Sequence, residues 1–102
     1  MAVQRIVCFK FKPDASQAER LKHMVDFAAL KSAIPQIAGY SGGLAISGDQ
    51  GTQPDYDTLH YLTFDNMGDV DSYFDHEAHQ AFIAANKHIW VDVLVLNAEL
   101  GE

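Results

Sequence analysis

The chain has 102 residues, 48% of them hydrophobic and 21% charged, with 7 Lys and Arg against 14 Asp and Glu. That length supports one core and one domain, residues 1–102, and the composition excludes disordered, collagen-like and coiled-coil classes. A formal charge of -7 is the wrong sign for a nucleic-acid groove or an anionic membrane surface, so neither partner is expected. Cys8 is the single cysteine and cannot close an internal disulfide. No apolar run approaches the roughly 20 residues that span a bilayer. The alternating start, with Arg5, Lys10 and Lys12, is not a signal-peptide core, and a cytoplasmic location is the expectation.

From Val3 to Lys12 the pattern has period two. Val3, Arg5, Val7, Phe9 and Phe11 share one face and Ile6, Cys8, Lys10 and Lys12 the other, which predicts a strand that Pro13 ends. Ser16 and Glu19 have the spacing of a capping box. The helix they open carries Leu21, Met24, Val25, Phe27, Ala28, Leu30 and Ile34 as a broad apolar stripe, and Pro35 stops it near Ile34. On this reading His23 faces solvent, as does His88. Ile37 to Ser47 reads as a strand with a bend or bulge near Gly42 and Gly43, and Gly48 to Pro54 as a loop.

Asp57 to Asp65 alternates again, with Thr58, His60, Leu62 and Phe64 opposite Leu59, Tyr61 and Thr63. Between Asp65 and Lys87 the pattern is helical but broken near Asp75 and His76. The first segment carries Val70, Tyr73 and Phe74, and the second, capped by His76, carries Ala78, Phe82, Ile83 and Ala85. Ile89 to Leu96 reads as a buried strand with Val91, Val93 and Val95 on one side and Leu94 and Leu96 on the other. The order β-α-β-β-α-β predicts an α+β, ferredoxin-like subunit with a four-stranded antiparallel sheet. The helices of such a subunit cover one face only. Ile6, Cys8, Leu59, Tyr61, Leu94 and Leu96 would leave the other face apolar and bare, so a homodimer with two sheets packed as a shared α/β barrel is expected.

The segments Arg5-Ile-Val-Cys-Phe-Lys-Phe-Lys12, Ile34-Pro35 and Tyr73-Phe-Asp-His76-Glu-Ala-His79-Gln80 resemble the stress-responsive A/B barrel (Dabb) family of dimeric α/β barrels, over nearly the whole chain. Within that family the chain is similar to plant polyketide cyclases. The resemblance implies catalytic roles for Tyr73 and His79, a motif histidine at His76, and a pocket lined by Val7, Phe9, Met24, Phe27, Trp90, Val93 and Val95. It has departures: Arg5 stands for the family's frequent strand-one histidine, Thr58 for a pocket histidine of the cyclases, and Glu77 for a motif proline.

The residue types suit such chemistry. An imidazole, with an ordinary pKa of about 6.5, can remove a proton next to a carbonyl, and a phenol can donate a hydrogen bond to the oxygen that gains charge. A break near Asp75 and His76 would turn Tyr73 and His79 inward together. His60, beside Thr58, could add a polar contact, and Arg5 could hold an anionic substrate group. Met24, Phe27 and Trp90 as pocket walls would favour a small hydrophobic or aromatic ligand. Tyr73 and His79 also fit a packing role, the tyrosine by its ring and tethered hydroxyl and the histidine by a bond to backbone where two helices meet. His76 and His79 are three apart rather than the four usual for a helical zinc pair, so neither a metal nor any other cofactor is expected. The expected function is binding of a small hydrophobic or aromatic molecule, to which cofactor-free cyclase, isomerase or lyase chemistry through base His79 and donor Tyr73 could be added. A non-catalytic stress-response protein and a cofactor-free monooxygenase stand as alternatives, and whether the chain is an enzyme is left open.

Overall fold

Alternation of apolar and polar residues sets out strands β1 (Val3–Phe11), β2 (Gly39–Leu44), β3 (Thr58–Phe64) and β4 (Trp90–Glu99). The structure, a computed structural model, describes residues 1–101. The strands form one antiparallel sheet in the order β2-β3-β1-β4. Between them run α1 (Gln17–Ala33), α2 (Met67–Asp75) and α3 (Glu77–Asn86), giving the ferredoxin-like β-α-β-β-α-β succession. No helix among the described residues is long and apolar enough to cross a membrane.

The capping box opens α1. The Glu19 N–H donates to Ser16 Oγ at 3.1 Å and the Ser16 N–H to the Glu19 carboxylate at 2.9 Å, an arrangement that contributes about 1 kcal/mol. Pro35 keeps Ile34 extended, and the helix stops there. The side of β1 carrying Val3, Arg5, Val7, Phe9 and Phe11 is buried throughout. It packs under Phe27 and Leu30 of α1, Tyr73 of α2 and Phe82 of α3, and Thr58, His60, Leu62 and Phe64 of β3 extend the same layer.

Three expectations need correction. His23 does not face solvent but is wholly buried, because it lies four residues before Phe27 and seven before Leu30 on the core stripe. Leu21 and Val25, assigned to that stripe, are more than half exposed. Next, β2 pairs with β3 in unbroken register, with no bulge at Gly42 or Gly43. Gly42 serves clearance instead: a Cβ there would strike the Tyr40 hydroxyl and come 2.8 Å from His60 Nδ1. Finally, β4 is not a buried strand but a sheet edge, and Val91, Val93 and Val95 are all substantially exposed.

The register does shift once, between Lys10 and Phe11 of β1. Lys10 pairs with Asp92 and Phe11 with Trp90, so Val91 is the extra residue. That bulge puts Trp90 on the helix-covered side together with Val93 and Val95, which strict alternation would forbid. The opposite face carries Ile6, Cys8, Leu59, Tyr61, Leu94 and Leu96 with no helix over it, and Leu96 is 53% exposed.

Candidate active site

Asp75 ends α2, and His76 takes an extended conformation before α3 begins at Glu77. His76 Nδ1 accepts the Ala78 N–H at 3.0 Å, and the His76 N–H donates to the Tyr73 carbonyl at 3.2 Å. This break bends the helical path. Tyr73 from the last turns of α2 and His79 from the first turn of α3 are thereby brought together, their ring centroids 4.5 Å apart.

Both line a cavity of about 120 Å³ between the helices and β1 and β4. Arg5, Val7, Phe9, Phe27, Trp90, Val93 and Val95 also reach it, joined by Phe74, Phe82 and Ile83, which sequence reasoning did not assign to a site. Phe74, half-exposed, stands with Val93 and Val95 at the mouth. The volume is close to that of engineered cavities of roughly 150 Å³ that take up benzene, and below the roughly 300 Å³ of drug-sized sites. A single ring with a small substituent is what it suits.

The tautomer of His79 follows from its partner. The Phe74 carbonyl lies 2.9 Å from Nδ1 and can only accept, so Nδ1 carries the hydrogen and Nε2 the lone pair. The same carbonyl accepts from Gln80 Nε2 at 2.7 Å. Burial lowers the His79 pKa, the Phe74 bond partly offsets it, and the Arg5 charge adds to the lowering. At neutral pH His79 is therefore a neutral base. Burial pushes the Tyr73 hydroxyl up to about 12, against an opposite pull from Arg5, and Tyr73 stays a proton donor. The Arg5 guanidinium sits 5.7 Å from the centre of the Tyr73 ring, and its Nη1 donates to Asn97 Oδ1 at 3.1 Å.

Four residues singled out in the sequence lie elsewhere. Thr58 and His60 are fully buried in a separate polar chain: His60 Nδ1 is 2.8 Å from the Tyr40 hydroxyl and Nε2 is 3.2 Å from Thr58 Oγ1. Phe27 stacks on His60 with centroids 4.0 Å apart, and burial drives its pKa to about 3. His76 is occupied as the α3 cap. Met24 lines an open groove of about 820 Å³ between α1 and the β2 end, with Leu21, Leu44 and Asp57. Among the described residues no three His, Cys, Asp or Glu side chains gather as a metal site.

Two further residues near the cavity escaped the sequence reading. His23 packs edge-on against Phe9, Phe82 and Trp90, all cavity-lining, and neither ring nitrogen has a hydrogen-bond partner. Its helical spacing from Phe27 carried the signal. Asn97 is directly opposite Arg5 in the β1–β4 register, which only a full strand pairing reveals.

Residues 3–100 match the family described as the Stress responsive A/B Barrel Domain. Olivetolic acid cyclase from Cannabis sativa is 22% identical over 97 residues, which are 95% of each chain. Among solved structures, a hydroxynitrile lyase from Passiflora edulis superimposes with a TM-score of 0.87 at 20% identity, covering 99% of this chain and 94% of that one. A dimeric ferredoxin-like protein of unknown function from Thermobifida fusca gives 0.83 at 21% identity, covering 98% and 92%.

Proposed function

The chain belongs to the stress-responsive A/B barrel family, and from that premise we propose that it is a homodimer whose cavity binds a small, ring-bearing molecule and moves a proton on it. Nε2 of His79 takes a proton from a carbon beside a carbonyl. Tyr73 donates a hydrogen bond to the oxygen on which negative charge then gathers, and the imidazolium returns its proton to complete an isomerisation, ring closure or cleavage. The observation that carries this reading is the Phe74 carbonyl, which fixes the His79 tautomer and leaves Nε2 the basic nitrogen of a ring whose centroid lies 4.5 Å from that of Tyr73, a phenol that keeps its proton. The cyclase and lyase names of the two relatives support it.

Exchange of the methyl protons of acetophenone for deuterium in heavy water, followed by NMR, tests the reading. The full chain should accelerate exchange over buffer, and His79→Gln should lose about 10² to 10⁴ of that acceleration. Exchange at the buffer rate, with acetophenone bound, would make the chain a binding protein without turnover.

The dimer rests on the bare apolar face of the sheet and on the dimeric state of several structural neighbours. Sedimentation should give twice the 11.3 kDa chain mass, and Leu96→Lys should give one. A wild-type monomer would refute it.

A further inference from the structure

Arg5 is 91% buried, being 9% exposed, in a chain whose acidic residues outnumber its basic ones two to one. Among the described residues no carboxylate pairs with it. The ion pairs among the described residues, Lys22–Asp26 and His88–Glu19, lie at the surface and leave Arg5 out. A guanidinium keeps its charge whatever surrounds it, and burying that charge without an anion is strongly unfavourable.

What Arg5 does have is orientation. Asn97 holds Nη1 at 3.1 Å, while Nε is buried with no partner at all. Nε belongs to the edge of the guanidinium fork that takes a carboxylate side-on through two parallel hydrogen bonds. Nor is this orphaned atom isolated. Of five buried side-chain polar atoms without a partner among the described residues, four belong to Arg5, Trp90 and His23. The first two line the cavity and His23 packs on its wall. Buried polar groups normally find partners. Those of Arg5 and Trp90 belong to side chains that line the void, and unmet groups there point to a molecule that enters it.

We propose that Arg5 makes this cavity selective for a ring-bearing carboxylate, whose anionic group meets the guanidinium edge where the described residues supply no anion. Asn97 is the positioning residue. The proposal rests on the reading of the cavity as a small-molecule site and adds the class of molecule. The neighbours of the anion agree with it: Tyr73 is a neutral donor and His79 a neutral imidazole. A carboxylate on one ring also suits the volume of about 120 Å³.

Benzoate and benzamide have nearly the same shape and differ in charge, so calorimetric titration of the full chain with each is the test. Benzoate should bind about tenfold or more tightly than benzamide. Arg5→Met, whose apolar chain can occupy the same space, should bring the two within about twofold of each other. Independently of any variant, the Arg5 Nε–H resonance of the wild-type chain should shift on adding benzoate and stay still on adding benzamide. Benzamide binding with no preference for benzoate, or a preference that survives Arg5→Met, overturns the proposal and leaves the cavity reading standing. Binding of neither at the solubility limit overturns both.

Discussion

Two buried polar groups, each a histidine beside a tyrosine, meet opposite fates in this fold. Around His60 a tyrosine and a threonine satisfy both ring nitrogens, Phe27 stacks on the ring, and the residue is fully buried. Around His79 one nitrogen is tied to a backbone carbonyl, a tyrosine stacks beside it, and an arginine nearby lacks an anion, all facing a void. A polar cluster that completes itself holds the sheet to the helices. One that is left incomplete around a cavity has groups that, on the proposed reading, a ligand would meet. The difference lies in partner accounting, since His60 and His79 are both buried.

The largest expected effect concerns acid. In the folded chain burial holds His23 at about 4 and His60 at about 3, both far below the ordinary value near 6.5. The unfolded chain therefore binds these protons first as pH falls. The stability that comes from keeping both rings neutral is complete above about pH 6.5 and is lost as pH drops towards 4 for His23 and 3 for His60. Each ring contributes a slope of about 1.4 kcal/mol per pH unit within its window. With both, several kcal/mol of a typical total of about 5 to 15 should vanish between about pH 6 and 4. Denaturant titrations at a series of pH values would show it, and His23→Leu should remove about half the slope. A flat profile would mean that neither ring is sealed as the structure has it.

A smaller effect sharpens the contrast between the two tyrosines. Tyr40→Phe leaves a nitrogen of His60 unpaired in the core and should destabilise the chain by about 1 to 3 kcal/mol without changing ligand affinity. Tyr73→Phe should change stability by less than about 1 kcal/mol while slowing proton exchange about 10² to 10³. Unfolding curves and exchange rates measured on both variants decide it. The same response from both would erase the distinction.

The skeleton was legible because it rests on local chemistry. Alternation in β1 and β3, the Ser16–Glu19 box, Pro35 and the break at His76 each act within a few residues, and each is where the pattern puts it. Long-range features were not so readable. Edge placement of β4 left its valines exposed, and the Val91 bulge redirected Trp90; both depend on which strands pair. Gly42 looked like a distortion because its reason, the Tyr40–His60 bond, is formed by two other residues. His23 is buried because its position on the apolar stripe outweighs its polar type. At the site, the pattern around Tyr73 and His79 pointed to both residues. The missing partners of Arg5 became visible only once every neighbour of its guanidinium had a place.

Whether His79 opens onto a ligand site through a free Nε2 while His60 does not is decided by nitrogen-15 NMR, which reads both rings in one sample. At neutral pH His79 should show the Nδ1–H tautomer, and its Nε2 resonance should move when acetophenone is added while both His60 nitrogens stay fixed. An Nε2–H tautomer at His79, or a His79 signal as indifferent to the ligand as that of His60, would contradict the account.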